Sequence, residues 1–126
     1  MNGLESTINI EVVTEYIEQQ SSPTEDKYLF SYTITISNHG NKAAKLKSRH
    51  WIITDANGHK SEVQGSGVVG ETPTIEANAS FQYTSGTVLE TPIGIMQGSY
   101  TMESEQGEDF HAAIPPFRLA VPGLLH

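Results

Sequence analysis

The chain has 126 residues, 37% of them hydrophobic and 17% charged, a size and composition that point to one globular domain spanning 1–126 with a core of its own. Fifteen acidic side chains against seven basic ones give a formal net charge of −8, so no nucleic-acid partner is expected, because a phosphate backbone would be repelled. The absence of cysteine excludes disulfides, thiolate catalysis and cysteine-ligated zinc, while the lack of an apolar run near the roughly 18 residues of a membrane span, and of a leader in MNGLESTINIEV, points to a cytoplasmic protein with no membrane partner.

Along the chain, period-two patterning dominates. In TINIEVVTEYI (7–17), Ile8, Ile10, Val12 and Tyr16 oppose Asn9, Glu11 and Glu15. After the turn signal SSPTED (21–26), YLFSYTITIS (28–37) puts Tyr28, Phe30, Tyr32, Ile34 and Ile36 on one face and Leu29, Ser31, Thr33, Thr35 and Ser37 on the other. NHGN (38–41) then reverses the chain, and further strands are predicted at 44–54, 60–64, 80–84, 95–103 and 109–114. Within KLKSRHWIIT (45–54), Lys45, Lys47 and Arg49 share parity with Trp51, and a bulge near Ser48–His50 would turn Trp51 inward. Asn57-Gly58, in DANG (55–58), predicts a two-residue type I′ turn. Ile52 would then face Val63, His50 would face Gly65, and Arg49 would face Ser66. EANA (76–79) and SEQGED (104–109) supply further turns, and TSGTVLETPIG (84–94) is taken as a connection. No window carries capped helical periodicity. The expected fold is all-β, an immunoglobulin- or fibronectin type III-like antiparallel sandwich of about seven or eight strands.

QGSGVVGETP (64–73) holds Gly65, Gly67 and Gly70 at G-x-G-x-x-G spacing. In a dinucleotide-binding unit that spacing works because a helix follows, its first amides and dipole holding the pyrophosphate. Here Glu71, Thr72 and Pro73 follow, with no amphipathic helix and no Gly-Lys-Ser/Thr. Two readings remain. The three glycines could form a nest of amides for an anion beside Arg49 and His50. Alternatively, they let a loop cross between strands, with Val68 and Val69 packing beneath it.

Other chemistry is sparse. No histidine pairs with another at metal-ligand spacing, and Ser66 in Gly-Ser-Gly precedes no strand-to-helix elbow. Paired carboxylates in a cleft are not identifiable. No catalytic residue, metal or cofactor is therefore expected, and the chain is read as a non-enzyme.

Five stretches carry a resemblance: YLFSYTITISN (28–38), HWIITDANGHKSEVQGSGVVGETP (50–73), FQYTSGTVLETPIGIMQGSY (81–100), SEQGEDF (104–110) and IPPFRLAVP (114–122). In content and order they resemble the ApaG family over nearly the whole chain. The resemblance implies a fibronectin type III-like sandwich and a small cytoplasmic protein. It also implies an indirect link to diadenosine polyphosphate metabolism and to cobalt and magnesium tolerance, and, from the domain's modular reuse, a protein-binding role. The family's glycine pattern falls on Gly65, Gly67 and Gly70, for which pyrophosphate binding has been suggested. The leading expectation is a protein-interaction module with an unidentified protein partner, meeting it through Val68, Val69, Val88 and Leu89; a sheet edge also offers a route to a homodimer. The alternative is a sensor of a pyrophosphate-containing nucleotide at Gly65, Gly67, Gly70, Arg49 and His50.

Overall fold

Alternating apolar side chains build the frame. The computed structural model describes residues 7–123; His126, at the end of the sequence, lies outside them. Eight strands follow one another: β1 (Ile8–Tyr16), β2 (Tyr28–Asn38), β3 (Ala44–Asp55), β4 (Lys60–Ser66), β5 (Thr74–Ile75), β6 (Ser80–Leu89), β7 (Ile93–Ser104) and β8 (Asp109–Ala120). Two three-residue 3-10 turns lie between β1 and β2. One antiparallel sheet runs β1-β2-β6 and the other β4-β3-β7-β8, with β5 paired to β3. The two sheets form the sandwich that the patterning predicts.

The face assigned to β2 is the buried one. Phe30, Tyr32, Ile34 and Ile36 pack against Leu46 and Trp51 of β3, Met96, Tyr100 and Met102 of β7, and Phe110, Ile114 and Leu119 of β8. Trp51 is the hub, meeting Tyr32, Phe117 and Tyr100 edge to face at ring separations of 5.6, 5.8 and 6.3 Å. A β-bulge does turn it inward, but at Lys47 rather than at Ser48–His50. Leu46 faces Met102 and Ser48 faces Thr101, so Lys47 is the residue without a partner in β7. Its ammonium turns to Asp109 Oδ1 at 3.0 Å, and that carboxylate raises its pKa. The extra residue switches parity, so Leu46 and Trp51 both point inward and Arg49 joins Trp51.

Two strands outrun their predicted ends. β8 passes through Pro115-Pro116 because it is a sheet edge and because a second bulge lies there, with Ile114 facing Gly98 and Phe117 facing Met96. A proline there removes no ladder bond. β6 continues through 84–89, where Ser85, Thr87 and Leu89 keep alternating inward, so that stretch is strand rather than connection.

The β3–β4 turn has three residues instead of two. Asp55 N–H donates to the His59 carbonyl, Gly58 N–H donates to the Asp55 carbonyl, and Gly58, at φ +84°, is the only one of Ala56, Asn57 and Gly58 with positive φ. Asp55 Oδ1 accepts from the N–H groups of Asn57 and His59, which favours this wider turn. The register therefore slips by one from the expectation: Ile52 faces Glu62, His50 faces Gln64 and Arg49 faces Gly65.

The two sides of the sandwich differ. β1 packs against β8 and closes one side. Across the molecule, the outer edges of β4 and β6 flank a cleft.

Candidate functional site

The cleft takes its walls from the period of two. Inward residues of β3 (Arg49, Trp51, Ile53) and β4 (Ser61, Val63) face Tyr83, Ser85, Thr87 and Leu89 of β6. It has two hollows, of about 460 Å³ towards the β3–β4 turn and about 260 Å³ beneath the glycine segment. Ladder bonds alternate along β4 from Asp55–His59 at one end to Lys47–Gly67 at the other. By that alternation Ser61, Val63 and Gly65 bond to β3, while the N–H and C=O groups of Glu62 and Gln64 point away from the sheet.

The glycine spacing has a structural explanation at each position. A Cβ on Gly65 would lie 2.8–2.9 Å from the guanidinium of Arg49, which rests on it. A Cβ on Gly67 would lie 2.0 Å from the Glu71 carbonyl oxygen, and its φ is +61°. Val68 and Glu71 bond reciprocally through their N–H and C=O groups, and the turn between them has φ +42° at Val69 and +82° at Gly70. That is a tight primed turn, and its first corner is a β-branched residue in the left-handed region. Among the described residues no helix follows residue 70.

These contacts reshape the expected anion nest. Gly67 N–H is donated to the Lys47 carbonyl at 2.8 Å. Arg49 Nη1 donates to the carbonyls of Ser66 at 3.1 Å and Gly67 at 2.9 Å, so carbonyl oxygens already occupy one nitrogen of its guanidinium. His50 is not part of the nest: it lies on the opposite face from Arg49 and hydrogen-bonds Glu62 at 2.5 Å. Of the residues expected to meet a protein partner, Val68 (0% exposed) and Leu89 (4%) belong to the core, which removes them as surface anchors. Val69 (53%) and Val88 (56%) are exposed, and Val63 (40%) joins them.

Beneath Arg49, the hydroxyls of Tyr83 and Tyr100 share a 2.5 Å hydrogen bond. Burial pushes both phenols up, Tyr83 to about 12. At the other end of the cleft, Asp55, His59 and Glu90 bring ligand-type atoms within 4.8 Å of one another. Neither group was legible in the sequence. Tyr83 and Tyr100 are 17 residues apart on different sheets, and Glu90 reaches the turn only because the β6–β7 connection folds over it. One local signal existed: Val63 is the lone apolar residue in KSEVQGS.

The chain matches the family model described as the ApaG domain over residues 18–104. It is 71% identical over 126 residues, the full length of both chains, to Protein ApaG of Shewanella sediminis, and equally so to that of Shewanella oneidensis. An X-ray structure of a Northeast Structural Genomics Consortium target is 72% identical at a TM-score of 0.93, covering 98% of this chain and 93% of that one. A Bordetella pertussis crystal structure described as an ApaA protein is 43% identical at a TM-score of 0.90, covering 92% and 94%. An Archaeoglobus fulgidus structure at 11% identity and a TM-score of 0.55 shares the fold alone. From the glycine hairpin to the sandwich around it, the chain belongs to the ApaG domain family.

Proposed function

We propose that the protein is a non-catalytic recognition module that takes an extended segment of a partner protein along the cleft between β4 and β6. The observation that carries this reading is the pair of unsatisfied strand edges flanking one cleft, with Val63, Val69 and Val88 exposed beside it. An added strand would satisfy the outward backbone groups of Glu62 and Gln64, while alternate side chains entered the hollows. β4 has seven residues, about 23 Å of edge, which suits a segment of similar length. The net charge of −8 favours a segment carrying Lys or Arg and no acidic residue.

Peptides selected from a random library test this by titration against the isotope-labelled protein. Amide shifts should concentrate in 60–66 and 80–89. Gln64→Pro removes one outward N–H without touching a ladder bond and should weaken binding about ten-fold, the order of one charge-free hydrogen bond in a dry site. Shifts confined to the β1 or β8 edges would contradict the reading, and concentration-dependent self-association lost in Gln64→Pro would make the occupant a second copy of the chain.

A second reading is a pyrophosphate-containing nucleotide in the smaller hollow, which Arg49, Ser66, Gly70, Tyr83 and Ser85 border. It is the weaker one, because Arg49 Nη1 is already given to the Ser66 and Gly67 carbonyls and the Gly67 N–H to the Lys47 carbonyl. Titration with inorganic pyrophosphate should then move the Gly65, Gly67 and Gly70 amides and fail in Arg49→Ala. Unmoved signals remove that reading.

A further inference from the structure

At the wide end of the cleft, the last residue of β3, the first residue after the turn and the residue following β6 converge. We propose that Asp55, His59 and Glu90 form a three-ligand site for a divalent transition-metal ion of the zinc type, open to the cleft on its remaining side. The proposal does not rest on the peptide reading.

Geometry comes first. The ligand atoms of the three side chains lie within 4.8 Å of one another, and Asp55 Oδ2 stands 3.7 Å from His59 Nδ1. That separation is too long for a hydrogen bond. Two donors each about 2.1 Å from a shared ion stand about 3.0 to 3.7 Å apart, so it suits neighbouring ligands.

An independent observation concerns the Asp55 carboxylate. Its side chain is only 10% exposed, yet among the described residues Oδ2 accepts no hydrogen bond; both amide donors go to Oδ1. The oxygen left over lines the 460 Å³ hollow. That oxygen is open to the hollow and gives up no hydrogen bond on meeting a cation there.

The two loops are also fixed to each other. Thr91, 7% exposed, accepts the Ala56 N–H at 3.0 Å and donates to the Ile93 carbonyl at 2.8 Å, clasping the β6–β7 connection to the β3–β4 turn. The ligands therefore come from both sheets, on two loops already clasped to each other. Two carboxylates neutralise a divalent charge, and the imidazole favours zinc-type ions over magnesium or calcium. With three protein ligands and an exposed His59, positions remain for water or a donor from a bound segment.

Calorimetric titration of the full chain with zinc, in excess magnesium, tests the site, with the His59 ring signals followed by NMR. One zinc per chain is expected, with His59 ring shifts. His59→Ala, Glu90→Gln and Asp55→Asn should each weaken uptake about ten-fold or more. Asn keeps an oxygen for the Asn57 and His59 amides, so the turn survives that change. His50→Ala and Gln64→Pro should leave uptake unchanged. Glu90 is exposed, so its variant stays folded. Absence of stoichiometric uptake, uptake unaltered by His59→Ala and Glu90→Gln, or uptake lost in His50→Ala would each overturn the proposal.

Discussion

The two sides of this sandwich are built from the same kind of strand and end differently. Where β1 meets β8, apolar side chains close the gap and the side is finished. Between β4 and β6 the inward positions hold Arg49, Ser61, Ser85 and Thr87 alongside apolar groups, and the sheets stand open. An open side exposes unsatisfied backbone, which proteins normally blunt. Here the edge carries Lys60 and Glu62 but also an exposed valine, so it is soluble without being sealed. The difference separates a closed side that stabilises from an open side that the proposed recognition would use.

That contrast breaks most sharply under truncation. Leu119→Ala, in the fully buried part of β8, should cost about 3 kcal/mol in chemical denaturation, whereas Val63→Ala on the open side should cost under about 0.5 kcal/mol. Equal costs would mean that the cleft is packed like the core.

The glycine segment sharpens it next. Gly67→Ala meets the Glu71 carbonyl in a left-handed conformation and should lose about 2–3 kcal/mol. Gly70→Ala meets no atom within 4 Å and should lose only about 1 kcal/mol, its conformational strain alone. A phosphate cradle would instead make both substitutions matter mainly for ligand affinity.

Tyr100→Phe should cost about 1–2 kcal/mol, since Tyr83 would lose its hydroxyl partner in the interior. Wild-type stability should respond to alkali. Tyr83 holds its proton to about 12 when folded, against 10.0 ordinarily, so unfolding releases protons above pH 10. Its contribution is intact below about pH 10 and falls as pH rises through 12. Thermal melts across pH 8–11, run beside Tyr83→Phe, check the sign: the variant's melting temperature should decline less steeply.

Smallest is Val69→Asn. Asn tolerates φ +42° better than a β-branched residue, so the variant should gain about 0.5–1 kcal/mol. It should also bind selected peptides less tightly, having lost an exposed apolar side chain, the direction expected where strain is kept for function.

How much of this the sequence revealed follows from the range of each interaction. β2 was legible because its period-two pattern reports burial directly, from Phe30 to Ile36. Trp51 pointed to a bulge, but its location depended on Asp109, 62 residues from Lys47. The β3–β4 register was missed by one because the Asp55 side chain, not the Asn57-Gly58 pair, sets the turn. β6 and β8 ran long because Gly86 and Pro115-Pro116 look like breakers, yet Gly86 stays in register opposite Ser31 and the prolines sit at an edge bulge. The cleft was invisible because it is a relation between sheets. Arg49 and His50 were grouped as chain neighbours, although adjacent strand residues point to opposite faces.

Amide hydrogen exchange at β4, with and without a selected peptide, tests the edge directly. The account predicts fast exchange at Glu62 and Gln64 in the free protein and marked protection of both in the complex, with Val63 slow throughout. If peptide binds while Glu62 and Gln64 exchange as fast as before, recognition does not run through this strand edge and the central claim is wrong.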